Sequence, residues 1–362
     1  MAIYIVITLL LVLGSSHVSS IERQKRRRKV ESAYCLMAYA VLIFMSAFRG
    51  ASVGTDTPVY MANYELMREL DFSKIFELYS IYIGYYIPVK LCCDLHAPVQ
   101  VWQGIVAAVY ITSMAKLFSR YSEDRLFSVL CFFLMGSFAF SLAGMKQTFA
   151  MGLVLWGFLF FLKRRYALMT LLTVWAYFVH PVTVVFVLAY PLFFIRDSKA
   201  FYLVLLVLAA VTAVAFQFII VYATSVMGIE KLAEYLEEES SATATGLIYY
   251  VLLLLLPFST YQSKLRKRND PFMRFVFGMC VLCTVFQIFA FANANAFRLS
   301  LYYLPFFALY LPNITSGKNH LLKAVTAVMI IFFFFYTTRD GSSTCPYLFI
   351  WDDPLTKSML PQ

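Results

Sequence analysis

Twelve apolar runs follow one another along the chain: Ala2–Val18, Ala33–Phe48, Val99–Phe118, Leu126–Ala143, Thr148–Leu162, Ala167–Val179, Val182–Ile195, Ala200–Tyr222, Gly246–Tyr261, Phe272–Ala292, Leu299–Asn313 and Leu321–Tyr336. Set against the roughly twenty residues a helix needs to cross a bilayer, several of these runs are short, as tilted or broken spans would be. The pattern predicts an all-α polytopic membrane protein with about twelve transmembrane helices, and residues 1–362 read as a single integral membrane domain. Between the second and third runs lies a long loop, residues 49–98. Within it Thr57, Pro58, Tyr60, Tyr64 and Met67 predict a short amphipathic helix reaching Leu70, with Thr57 as N-cap and Pro58 in the first turn. Ile75–Asp94 is apolar but broken by Glu77, Gly84, Pro88 and Lys90, which predicts a re-entrant or interfacial segment rather than a span.

The basic residues orient the pattern. Arg23, Lys25, Arg26, Arg27, Arg28 and Lys29 follow the first apolar run rather than precede it, so the run is expected to stay in the membrane instead of acting as a signal peptide. Placing that cluster inside, with Lys163–Arg165, Arg196–Lys199, Lys264–Arg268 and Lys318–His320, satisfies the positive-inside rule if residues 49–98 form one external loop. Both termini, an acidic loop at 223–245 and a C-terminal tail at 337–362 then lie outside.

Composition agrees with this class. Hydrophobic residues make up 61% of the chain and charged residues 14%, against about a quarter charged in soluble domains. The net charge of +10 resides in short patches between apolar runs, which report topology and argue against nucleic acid as a partner. Six of the seven cysteines lie in or beside apolar runs as small hydrophobes. Cys280 and Cys283 lack a second ligand pair, so no metal site is expected.

The topology gathers polar residues on the external face: Arg49, Asp56, Lys146, Gln147, His180, Asn293, Asn295 and Arg298. Arg49 and Asp56 sit in FRGASVGTDTPVY with Gly50 and Gly54, and glycine lets backbone approach a ligand closely. Lys146 and Gln147 fall between two apolar runs, where an ammonium and an amide suit phosphate oxygens or simply occupy a hairpin turn. His180 precedes Pro181, which disfavours helix at the histidine and sets an imidazole at a break. Arg298 precedes Tyr302 and Tyr303, a set that suits a phosphosugar or an interfacial anchor.

These landmarks resemble the EpsG family, grouped with the Wzy-like O-antigen polymerases of bacterial capsule and exopolysaccharide synthesis. The resemblance rests on Arg49–Tyr60 read as Arg-x-x-x-x-Gly-Thr-Asp-Thr-x-x-Tyr, on Lys146-Gln147, on Phe178-Val179-His180, and on Arg298 with Tyr302 and Tyr303. The family usually has arginine where this chain has Lys146, which keeps the charge without bidentate geometry.

The resemblance implies a glycosyltransferase-type polysaccharide polymerase of the bacterial cytoplasmic (inner) membrane. It would join undecaprenyl-diphosphate-linked repeat units on the external, periplasmic face and require no cofactor. Its partners would be those lipid-linked glycans, membrane lipid, and the flippase and chain-length regulator of the same pathway. Arg49, Lys146, Gln147, Arg298 and Tyr302 would bind diphosphate or sugar, and Asp56 or His180 would accept the hydroxyl proton. Two alternatives stay open: a membrane glycosyltransferase adding one sugar from a polyprenyl-phosphate donor, and a lipid-linked oligosaccharide flippase or transporter.

Overall fold

The computed structural model describes residues 1–195, 199–201, 203–208, 211, 244–268, 270–291, 297–317, 320–338 and 342–359. The acidic loop expected at 223–245 lies almost wholly outside the described residues, as do Asn293, Asn295 and most of the expected span Ala200–Tyr222. All regular elements described are helical, apart from one isolated antiparallel bridge between Arg49 and Phe349.

Seven helices among the described residues are long and apolar enough to cross a membrane, and a bent pair makes eight if it counts as one span. Tyr166–Val179, Pro181–Phe194 and Leu304–Thr315 are apolar but shorter. The expected Leu126–Ala143 span is two helices bent by 47° at Met135–Gly136, where Gly136 adopts a left-handed φ of +94°. The expected Val182–Ile195 span begins as 3-10 helix directly after Pro181. Twelve long spans are therefore not what the described residues display.

The chain divides into two compact units, residues 1–184 with 327–362, and residues 185–326. In the first unit α1 (Ala2–Ser20) and α2 (Gln24–Ala47) form a hairpin around the basic cluster. Three short helices follow, α3 (Thr57–Glu69), α4 (Phe72–Tyr79) and α5 (Ile83–Asp94), and then α6 (Val99–Tyr121). The bent pair α7 (Arg125–Leu134) and α8 (Ser137–Ala143) leads to α9 (Met145–Leu162) and α10 (Tyr166–Val179).

Contacts at both ends of α2 and α6 fix their direction. Ala47 at the end of α2 meets Gly104 near the start of α6. At the other extremity the Arg125 amide and guanidinium, just past α6, donate to Glu31 (2.9 Å) and Ser32 (3.2 Å) of α2. The two helices are antiparallel, so the segment 49–98 leaves and rejoins the bundle at the same end. Ile75–Asp94 accordingly adds no net crossing to this unit.

One end of unit 1, the basic end, carries Arg23–Lys29, the α6–α7 connection and the Lys163–Arg165 turn. The other, the loop end, carries α3–α5, the α8–α9 turn and the C-terminal tail. Large apolar side chains stay exposed along the bundle, among them Leu9, Leu10 and Leu13 on α1 and Leu36, Met37 and Phe44 on α2. In a chain of this composition such a surface suits lipid contact.

In the second unit Pro271–Ile288 is the central helix, N-capped by the Asp270 carboxylate, which accepts from the amides of Phe272 and Met273. Tyr261 stacks on Phe277 with centroids 4.5 Å apart, and Tyr303 on Phe286 at 5.3 Å. The helix His320–Thr337 starts in this unit and ends in the first.

Candidate functional site

Arg49 follows the last turn of α2, and its side chain folds back to donate Nη1–H to the Ser46 carbonyl. This satisfies one of the carbonyls a helix leaves open at its C-terminus. The residue is 1% exposed, and its Nε and Nη2 reach no hydrogen-bond acceptor. No carboxylate pairs with it among the described residues, whose ion pairs are Arg68–Glu65 and Lys90–Asp94. Burial brings the guanidinium pKa down to about 10, while the neighbouring Tyr347, Tyr85 and Tyr60 act weakly the other way. Arg49 thus remains charged at neutral pH, inside protein, with two nitrogen sites unused. A buried cation in that state is poised for an anion.

The second cation lies beside the same tyrosines. Lys146 is the second residue of α9; only Gly144 separates that helix from α8, so Lys146 and Gln147 occupy the first helical turn rather than a loop between spans. The Lys146 ammonium faces four rings, at 4.4 Å from the Tyr82 centroid, 5.0 Å from Tyr86, 5.9 Å from Tyr85 and 6.0 Å from Tyr60. Such contacts contribute roughly 0.5–2 kcal/mol each, and more where water is excluded. Its amide donates to the Tyr60 hydroxyl at 3.4 Å. The rings also hold one another: Tyr85 lies 5.2 Å from Tyr86 and 6.0 Å from Tyr60, and its hydroxyl accepts from Trp102 Nε1 at 3.0 Å. Arg49 and Lys146 therefore border one shared pair, Tyr60 and Tyr85.

Asp56 is half-buried and stands at the N-cap of α3, without a side-chain cap bond, and its charge acts on Lys146. The expected cap, Thr57, is instead the first helical residue; its hydroxyl donates to the carbonyls of Val53 (2.7 Å) and Leu142 (3.1 Å). That bond fastens the Asp56 loop to the α8–α9 turn, the turn that presents Lys146. Gly54 makes the approach possible. Its φ is +96°, and a Cβ there would lie 2.3 Å from the Leu142 carbonyl oxygen. Gly50 is equally crowded, by Asp353. Both glycines serve close approach of protein to protein, not of backbone to ligand.

Gln147 is buried beside Lys146. His180 is half-buried and ends α10, where its carbonyl accepts the Thr183 amide at 2.9 Å. The preceding Phe178 and Val179 press on Gly84, whose carbonyl also accepts from Trp175 Nε1 at 2.9 Å. This sets the His180 backbone beside the Tyr82–Tyr86 segment. Five candidates, Arg49, Asp56, Lys146, Gln147 and His180, thus gather at the loop end of unit 1. Arg298, half-buried in the short helix Phe297–Ser300, and the buried Tyr302 belong to the second unit.

The C-terminal tail is the part that sequence reasoning missed. Gly50 donates to the Leu348 carbonyl (2.9 Å), Ile350 to Phe48 (3.0 Å), and the Tyr347 hydroxyl to Met45 (2.5 Å). The Ser52 amide donates to Asp353 Oδ2 at 3.0 Å, the Ala51 amide to the Thr356 hydroxyl at 2.6 Å, and that hydroxyl in turn to Asp353 at 2.6 Å. Desolvation alone would raise the Asp353 pKa, but the bonds from Thr356 and Ser52 outweigh it and hold the carboxyl below its ordinary 3.8. The tail therefore clasps the loop that carries Arg49.

The model of the EpsG family matches residues 32–349, nearly the whole chain. No curated protein and no solved structure matches it.

Proposed function

The chain belongs to the EpsG family, and on that premise we propose that it is a polysaccharide polymerase that joins undecaprenyl-diphosphate-linked repeat units at the external face of the bacterial cytoplasmic membrane. The observation that carries this reading is the pair of cations around Tyr60 and Tyr85: Arg49, buried without a counter-ion, and Lys146, enclosed by four rings. A diphosphate leaving group gains charge as the glycosidic bond breaks, and preorganised cations in a dry site stabilise that charge best. Two cations approaching from different elements suit two phosphates. The tyrosine faces suit pyranose rings.

In the step proposed, a hydroxyl of one lipid-linked unit attacks the anomeric carbon of the growing chain on another. The bond from that carbon to the diphosphate oxygen breaks and its electron pair leaves with undecaprenyl diphosphate. The hydroxyl proton passes to Asp56 or His180. Gln147 lies next to Lys146 to supply an amide donor, and Arg298 and Tyr302 enter as further substrate ligands through the family resemblance. The flippase and chain-length regulator of the pathway are the expected functional partners.

The test is a gel ladder of lipid-linked and surface glycans in a strain lacking this chain, complemented with wild type, Arg49→Ala or Lys146→Ala at matched protein levels. The reading expects a ladder with wild type, and single complete repeat units accumulating with either variant. Truncated units would point to a single-sugar transferase. Complete units confined to the cytoplasmic face would point to a flippase.

A further inference from the structure

A second polar feature of unit 1 lies far along the bundle from the tyrosine cluster. At the basic end a cavity of about 320 Å³ opens between α2, α6 and α9, lined by Ser32, Leu36, Thr112, Lys116, Arg125 and Trp156 among others. That volume falls at the lower end of ligand pockets, about 300–1,000 Å³. The lining is divided in character. Lys116 and Arg125 bring two cations, and Ser32 and Thr112 bring hydroxyls, while Leu36 and Trp156 form apolar wall.

Among the described residues Lys116 and Arg125 form no ion pair, and the Arg125 guanidinium donates only to the neutral Ser32 hydroxyl. Two carboxylates stand close to Arg125 and partly offset its charge: Glu31 accepts the Arg125 amide, and Asp124 accepts the Phe127 amide as the N-cap of α7. The mouth lies on lipid-facing surface, since Leu36 is 71% exposed and continues into the exposed apolar stripe of α2. The Arg23–Lys29 and Lys163–Arg165 patches belong to the same end of the bundle. Cations at a membrane interface with apolar wall beside them match a phosphate joined to acyl chains, and not a freely soluble anion.

We propose that this crevice is a binding site for the headgroup of an anionic phospholipid, with Lys116 and Arg125 on the phosphate and Leu36 and Trp156 along the first part of an acyl chain. The site is separate from the polymerase site and does not depend on it.

The test uses the purified full-length protein in a neutral detergent, with phosphatidylglycerol, phosphatidylcholine or inorganic phosphate as probe. Retained lipid is counted by native mass spectrometry, and the thermal unfolding midpoint is followed for each probe. Wild type is expected to retain phosphatidylglycerol at least tenfold more than phosphatidylcholine and to gain stability from it, with no effect of millimolar phosphate. The double variant Lys116→Gln/Arg125→Gln, and separately Ala115→Phe, which fills the crevice without touching its charges, should each lose that preference at least tenfold. Equal retention of the two lipids would mean annular lipid only, and stabilisation by inorganic phosphate would mean a soluble-anion site. Either result, or preference unchanged within twofold in both variants, overturns the proposal.

Discussion

Replacing Arg49 by Met separates a functional cation from a structural one. The fall of the guanidinium pKa from 12.5 to about 10 through burial corresponds to about 3 kcal/mol against the charged form at each pH where it stays protonated. That cost persists across the physiological range and is relieved only above pH 10, because a lowered cation pKa destabilises the fold below that value. Methionine matches the bulk of the side chain but removes the charge. It also removes the bond from Nη1 to the Ser46 carbonyl, worth about 1.5–3 kcal/mol when a charged group is involved. The balance leaves Arg49→Met about as stable as wild type, or about 1 kcal/mol more stable. Thermal unfolding of the purified protein should therefore show an unchanged or slightly raised midpoint. Addition of farnesyl diphosphate, a short polyprenyl diphosphate, at 100 times its Kd should stabilise wild type by about 2.7 kcal/mol and leave the variant unmoved, and the variant should make no polymer. If Arg49→Met lost more than about 2 kcal/mol and polymer fell only in step with protein level, the unpaired guanidinium would be structural and the reasoning would fail.

Other positions give independent checks. Gly54→Ala forces an L-residue to φ +96° against the Leu142 carbonyl and should cost about 1–3 kcal/mol, seen as a lower unfolding midpoint together with weaker polymerisation. Asp353→Ala removes the acceptor of the tail clasp and should expose residues 342–359 to protease; in wild type the clasp, its carboxyl held below 3.8, should remain intact from pH 8 to about pH 4 and open only as pH falls further, as read by hydrogen exchange of Gly50–Ser52. Lys146→Arg should preserve polymer formation while Lys146→Met abolishes it. Tyr82→Phe, which keeps the ring at 4.4 Å from the ammonium, should be near neutral, whereas Tyr82→Leu should lower polymer yield several-fold at equal protein level.

Much of unit 1 was legible because its determinants are local. The apolar runs ending at the Arg23–Lys29 and Lys163–Arg165 patches mark helix ends, and the interruptions at Gly84 and Pro88 mark the segment that folds back to the loop end. Thr57 and Pro58 likewise announce the start of α3, displaced by one residue because the threonine hydroxyl is spent on Val53 and Leu142. Lys146 was legible as a candidate cation, but its enclosure was not, since Tyr60 and the Tyr82–Tyr86 group come from separate elements and meet it only in three dimensions. The clasp was not legible at all. Asp353 and Thr356 lie about three hundred residues from Gly50–Ser52, and nothing in the DDPLTK stretch distinguishes a buried acceptor from a solvated tail. The glycines of the RGASVG stretch show in sequence that space is needed but not what fills it, which here is the Leu142 carbonyl and Asp353 rather than a ligand.

The central claim is tested most directly by reconstitution of the purified full chain in vesicles with a complete undecaprenyl-diphosphate-linked repeat unit as the only glycan. The expected result is a ladder of lipid-linked products that grows with time, release of one undecaprenyl diphosphate per bond formed, and loss of both in Arg49→Met. A well-folded wild-type protein that leaves the repeat units unjoined, yet adds one sugar from a polyprenyl-phosphate donor or moves intact units across the membrane, would contradict it.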